Sequence, residues 1–288
     1  MKTPLRFAAI VSAFVATAVG CAPAKILNTI TPSASFEREK NVSYGSLDRQ
    51  KLDIYRTSNP RDEAPVIVFV HGGSWDSGSK DLYKFFAEGF TAEGFDVVVP
   101  NYRLYPEAVF PLMLEDTGKA LTFAADMFGG RNLVVIGHSA GAYNLLMTLM
   151  RPEFYPGGSE AICSRISGIV SLAGPTGIAP LESEPYISIF PDRFTSTDAP
   201  INNAEEPLPP VFFGHGLKDT TVNPLNSEYL AEKINARGGL AVLKTYEGLN
   251  HIDVVKVMSK YFDGGAPVKA DVINFINGLE TGAGPFCR

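Results

Sequence analysis

Ser139 stands in Gly137-His138-Ser139-Ala140-Gly141, with a glycine two residues to either side. Such spacing relieves the crowding of a sharp strand-to-helix turn and lets the hydroxyl stand exposed, which is what a nucleophile attacking a carbonyl carbon needs. Three fixed residues are weak on their own, so the rest of the chain has to supply a base, an orienting carboxylate and donors for an oxyanion. Only four histidines are available as base. His71 ends an apolar run before a glycine pair, and His138 adjoins Ser139, where its side chain is expected to point away from the serine's partner. His215 opens a loop after the Pro210 strand. His251 follows the last strand of the chain, at the edge where Ser139 emerges, and is the chosen base. For the carboxylate, Asp219 in Gly214-His215-Gly216-Leu217-Lys218-Asp219 lies just past a buried strand. Asp253, two residues beyond His251, is the runner-up. The glycines of His71-Gly72-Gly73-Ser74-Trp75 can turn backbone amides inward, and Ala140, at the start of a helix, adds another. Trp75, the sole tryptophan, and Tyr143 are candidate substrate-contacting residues, with core packing an equal alternative for Trp75.

These residues require a particular scaffold. Leu133 to Ile136 is a continuous apolar run that suits a strand buried on both faces, and an apolar helix follows Ser139 as far as Met150. Pro65 to His71 is a second such run. Helical patterns near Lys80 to Glu93, Leu112 to Met127, Leu225 to Arg237 and Val268 to Leu279 alternate with strands at Asp96 to Pro100, Gly168 to Leu172, Pro210 to Gly214 and Ala241 to Tyr246. This alternation predicts an α/β fold, a mostly parallel twisted sheet of about eight strands flanked by helices. Val42 to Tyr44 and Lys51 to Arg56 read as an antiparallel hairpin at its edge. The long segment from Gly174 to Pro209, rich in proline, acids and aromatics, is expected to be a partial cap over the site, with a surface loop as the alternative.

With 45% hydrophobic and 19% charged residues in 288, the composition is that of one globular domain with ample core. Residues 1–20 differ: Lys2 and Arg6 precede an apolar stretch from Phe7 to Val19, the pattern of an export signal. Ala18-Val19-Gly20-Cys21 resembles a bacterial lipobox, in which Cys21 would carry lipid; ordinary signal-peptidase cleavage nearby is the alternative. Residues 21–40 then form a tether and residues 41–288 the folded domain. Export implies a periplasmic or lipid-anchored protein, or a secreted one. Removing Lys2 and Arg6, and no acid, makes the formal charge of -6 two units more negative, which argues against nucleic acid and against attraction to anionic membranes; membrane attachment would come through lipid on Cys21. Cys163 and Cys287 remain, as a disulfide or as two separate thiols. No cysteine or histidine cluster has metal-ligand spacing, so no metal or other cofactor is expected.

Taken together, HGGSW, the segment from Asn101 to Asp116, GHSAG, HGLKDTTVNP and GLNHID resemble, in order, the α/β-hydrolase superfamily, close to its hormone-sensitive-lipase-like and feruloyl-esterase-like carboxylesterases. The resemblance runs over roughly residues 41 to 280. It implies the α/β-hydrolase fold, the chain order Ser139, Asp219, His251 for a catalytic triad, and Gly73, Ser74 and Ala140 as oxyanion donors. Many relatives carry a third glycine where this chain has Ser74, which leaves the amide in place. In such a family Arg103 and Glu115 or Asp116 are structural. The implied activity is hydrolysis of small or medium carboxylic esters through an acyl group on Ser139. An amidase or arylformamidase, whose sites also carry HGG-x-W loops, is the rival within the fold, and a noncatalytic binding lipoprotein the rival outside it.

Overall fold

The computed structural model describes residues 25–154, 162, 164–177, 184–190, 198–204, 208–262 and 264–279. Cys21, Cys163 and Cys287, and with them the export signal, lie outside the described residues. Eight strands form one sheet in the order β1-β2-β4-β3-β5-β6-β7-β8. They are β1 (Phe36–Ser43), β2 (Lys51–Thr57), β3 (Val66–Val70), β4 (Val97–Pro100), β5 (Leu133–His138), β6 (Ile166–Leu172), β7 (Val211–Gly216) and β8 (Ala241–Tyr246). The strands from β4 through β8 in that order are parallel, and the β1–β2 hairpin is antiparallel, with β2 also antiparallel to β4. The expected edge hairpin is therefore present.

The central strands are apolar throughout because both of their faces are covered. Val66, Val68 and Val70 of β3 and Leu133 and Val135 of β5 pack into one core; Ile67, Phe69, Val134 and Ile136 pack into the other. Helices α1 (Lys84–Thr91) and α5 (Val268–Asn277) contribute to the second core. Helices α2 (Leu112–Met127), α3 (Ala140–Met150) and α4 (Leu225–Ala236) contribute to the first. Strands covered by helices on both faces have no half-wet side, which is why alternation is missing from these central segments.

The amino-terminal stretch differs from the sequence expectation of a tether: residues 25–30 are helical, and Leu27 packs into the second core. Strand β1 begins at Phe36, inside the stretch assigned to the tether, and not at Val42. Phe36 is buried edge-on against Tyr55, with ring centroids 5.0 Å apart. The register of the hairpin shifts between Glu39 and Val42, and Asn41 there has φ 58° with its amide donating to Asp53 Oδ1. That bulge breaks the two-residue period a reader looks for, and the polar side chains Glu37 to Lys40 hide the rest of it.

The loop after β4 holds the site's floor. Arg103 makes a two-pronged ion pair with the fully buried Asp116, Nε to Oδ2 and Nη2 to Oδ1 both at 2.8 Å, while Gln50 donates to the same carboxylate. Glu115 is a looser partner of Arg103 at 3.8 Å. From this clamp, the Tyr102 hydroxyl donates to the His71 carbonyl at 3.0 Å and the Tyr105 amide to the Trp75 carbonyl at 2.8 Å, bracing the glycine loop from beneath.

Candidate active site

The turn after β5 is tight for reasons that its glycines make explicit. A Cβ on Gly137 would lie 2.5 Å from the Ala142 Cα, and one on Gly141 would lie 2.1 Å from the Val70 carbonyl oxygen. Ser139 sits between them at φ 53° and ψ -125°, a strained conformation for a residue with a side chain, and its carbonyl then opens helix α3. Strain of this kind persists only where neighbouring packing fixes it.

The loops after β7 and β8 bring the other two groups to the same edge. They run side by side, the Leu217 amide donating to the Tyr246 carbonyl and the Lys218 amide to the Leu249 carbonyl. His251 Nε2 lies 2.9 Å from Ser139 Oγ, and its Nδ1 lies 2.7 Å from Asp219 Oδ2. The amides of Thr221 and Val222 donate to Asp219 Oδ1 at 2.8 and 2.9 Å. Because the carboxylate only accepts, His251 carries its proton on Nδ1 and offers an unprotonated Nε2 to the serine hydroxyl. Burial would raise the Asp219 carboxyl, but hydrogen bonds from His215 and His251, the charge of His251 and the Val222 amide outweigh it and hold the group well below the ordinary carboxylate range. Ser139, Asp219 and His251 are all buried, at 8, 7 and 9% exposed, and the Asp219 carboxylate is fully so. Asp253 is occupied elsewhere: it accepts from the Asn250 amide, and its other oxygen pairs with Lys256 at 2.6 Å.

Across from Ser139, the glycine loop has three successive residues at positive φ: Gly73 at 129°, Ser74 at 51° and Trp75 at 61°. Two of the three have side chains, and no sequence signal marked that run beyond the glycine pair itself. Ala140 is the first residue of α3, where an amide has no partner within the helix. The glycine loop approaches the elbow at Gly72, where a Cβ would lie 2.9 Å from Ser139 Cβ. Trp75 and Tyr143 are buried side by side, rings edge-on at 5.2 Å; the indole Nε1 donates to Asn144 Oδ1 at 2.8 Å and the Tyr143 hydroxyl to the Asp198 carbonyl at 2.7 Å. Phe190 and Tyr186, from the segment expected to be a cap, press edge-on against Trp75 at 4.9 and 6.1 Å. The Tyr186 hydroxyl reaches Ser74 Oγ at 3.4 Å. The described part of that segment therefore packs onto the glycine loop.

Two histidines behave differently from expectation. His138 does not point away from the base: its ring lies 4.9 Å from that of His251, and its Nε2–H donates to the His251 carbonyl at 2.8 Å. The positive φ at Ser139 interrupts strand alternation, so neighbouring side chains approach the same loop. His215 is not a loop residue; it lies within β7, one residue before its end, fully buried, with Nε2 3.1 Å from Asp219 Oδ2. A four-residue spacing to Asp219 was the only sequence trace of that contact.

Burial drives His71 down to about 4, and burial with repulsion from His251 drives His138 down to about 3, so both are neutral at pH 7. In the unfolded chain each takes up a proton below about 6.5. The unfolded state therefore binds more protons between those limits, and stability, full above about pH 6.5, falls as the pH drops toward 4. The slope approaches roughly 1.4 kcal/mol per pH unit for each histidine. Urea midpoints at pH 7 and pH 5 check this; equal midpoints would contradict it.

A family model described as BD-FAE matches residues 52–234. Among curated proteins, an isoprenylcysteine alpha-carbonyl methylesterase of Arabidopsis thaliana is 25% identical over 241 residues, covering 75% of this chain and 56% of that protein. The chain thus spans little more than half the length of that relative. A kynurenine formamidase of Drosophila melanogaster is 24% identical over 254 residues, covering 83% of this chain and 81% of the relative. Among solved structures, esterase B from Lactobacillus rhamnosis superposes with a TM-score of 0.75 at 16% identity, covering 91% of this chain and 92% of that one. The esterase Est2 of Thermogutta terrifontis, with propionate bound, gives 0.67 at 20% identity, covering 87 and 98%. These structural likenesses are of fold, and it is the one the strand order already describes. With its sheet, its elbow and a family match over well more than half of its 288 residues, the chain belongs to the BD-FAE family of α/β-hydrolases.

Proposed function

We propose that the protein hydrolyses carboxylic esters of small or medium substrates, with Ser139 as nucleophile, His251 as general base and Asp219 as the carboxylate that orients it. One observation carries this reading: the continuous line from Ser139 Oγ to His251 Nε2 at 2.9 Å and from His251 Nδ1 to Asp219 Oδ2 at 2.7 Å. In the proposed reaction His251 takes the hydroxyl proton as Ser139 attacks the ester carbonyl. The amides of Gly73, Ser74 and Ala140 receive the oxyanion, and His251 returns the proton to the departing alcohol. Water, deprotonated by the same imidazole, then releases the acid from Ser139. Every proton moves through His251, so the cycle needs no metal or organic cofactor.

Esters are favoured as substrates because the methylesterase likeness and the esterase-like folds point the same way. A formamide is the second reading, favoured by the kynurenine formamidase relative, which this chain matches over most of that protein's length. Its attack chemistry is identical and only the leaving group differs. Two measurements test the proposal. A fluorophosphonate probe is expected to attach covalently to the peptide carrying Ser139, and short p-nitrophenyl esters are expected to turn over faster than N-formylkynurenine. Faster turnover of the formamide would move the assignment to the second reading. A protein that takes up no probe would be a binding module on a hydrolase scaffold.

A further inference from the structure

We propose that His215 is a positioning residue for the hydrolysis: it donates Nε2–H to Asp219 Oδ2, the oxygen that also serves His251, and so sets both the carboxylate's orientation and the share of its charge that reaches the base. This rests on the reading of Ser139, His251 and Asp219 given above.

The proton assignment follows from the neighbours. His215 Nε2 is 3.1 Å from Asp219 Oδ2 and 3.0 Å from the Val222 carbonyl oxygen, and both of these only accept. Nε2 therefore bears a hydrogen, leaving Nδ1 to accept from the Ser227 hydroxyl at 2.8 Å. His215 and Ser227 are fully buried, so the ring cannot turn to another partner in water. On the carboxylate, Oδ1 is committed to the Thr221 and Val222 amides. Oδ2 alone is divided between two imidazoles, one anchored in the core and one that must gain and lose a proton in each turnover. A donor held on Oδ2 withdraws electron density from it, weakening its attraction for an imidazolium at His251.

The charged and titratable groups around the pair include His138 at the end of β5, His215 one residue before the end of β7, and Asp219 in the loop that follows. Asp253 and Lys256 pair with each other on the one-turn helix beyond His251. Of these, only His215 and His251 donate side-chain hydrogen bonds to Asp219 among the described residues.

The two ends of the imidazole can be kept separately, which makes the test selective. His215→Gln places an amide N–H where Nε2 stands and keeps the donor to Asp219. His215→Asn places its amide near Nδ1 and keeps the Ser227 contact but drops that donor. The folded variants, with wild type and Ser139→Ala, are assayed for kcat and KM on a short p-nitrophenyl ester across pH, beside their melting temperatures. For His215→Asn, kcat is expected to fall about 10- to 100-fold with KM little changed. Its acidic limb of kcat/KM is expected to move to higher pH, because Oδ2 then acts on His251 alone. His215→Gln is expected to stay near wild type in both. The low-field proton resonance of His251 Nδ1–H supplies a second readout, moving further downfield in His215→Asn. Wild-type behaviour of His215→Asn would overturn the inference. So would an equal loss in both variants with the acidic limb unmoved, because packing alone would account for it. Ser139→Ala separates the levels: if it retains hydrolysis, the reading of the site fails first; if it is inactive while His215→Asn is unchanged, only the role of His215 fails.

Discussion

Ser139→Ala lowers kcat for short esters by about 10^6-fold, the loss expected when a nucleophile that works as one unit with its base is removed. The size of the effect follows from how little else in the site can attack. His251 has an unprotonated Nε2 directed at Ser139 Oγ at 2.9 Å, and removing the hydroxyl leaves a base with nothing to deprotonate but water. The backbone should tolerate the change, because alanine can hold φ 53° no worse than serine does and the flanking glycines remain. An unchanged melting temperature and an unlabelled protein on exposure to the fluorophosphonate complete the expected result. Residual activity within about 100-fold of wild type would mean that the serine is not the attacking group.

Asp219→Asn is expected to cost about 10^4-fold near neutral pH, through the position of a proton. The amides of Thr221 and Val222 donate to Oδ1, so the carbonyl oxygen of an asparagine belongs there. Its NH2 then falls at the Oδ2 position, 2.7 Å from His251 Nδ1 and 3.1 Å from His215 Nε2. A donor facing His251 Nδ1 drives the imidazole proton to Nε2, where it points at the serine hydroxyl and blocks the base. The same NH2 also meets the N–H of the fully buried His215, a second clash. Binding should change much less, so the loss is read in kcat. A variant retaining a tenth of wild-type kcat at neutral pH would show that Asp219 does not set the tautomer.

How much of this was legible in the sequence depended on whether the signal was local. The elbow was legible because a tight turn needs its glycines within two residues of Ser139. The central strands were legible because burial on both faces leaves an unbroken apolar run. His251 and Asp219 could be chosen because each directly follows a strand of the parallel sheet, and such loops share one edge. The contacts of His138 and His215 were not legible. Both depend on side-chain direction at a strand end, which the turn geometry of Ser139 or the packing of Ser227 decides, and neither leaves a spacing pattern specific enough to read. The start of β1 was missed because a bulge at Asn41 erased the alternation. The left-handed run from Gly73 to Trp75 was hidden because Ser74 and Trp75 are not residues that prefer it; the bracing by Tyr102 and Tyr105 supplies what their own preferences do not.

The grip of His138 on the His251 carbonyl has a consequence for how such an enzyme can change. That bond, with the paired loops after β7 and β8, fastens Ser139 and His251 to the sheet itself. The described cap residues reach the same centre by another route, through Ser74 and Trp75. The cap segment also touches the helix that Ser139 opens, through Phe190 and the Asp198 carbonyl against Tyr143. Changes in the cap segment that leave Tyr143 and the glycine loop in place are therefore expected to leave the line from Ser139 through His251 to Asp219 intact.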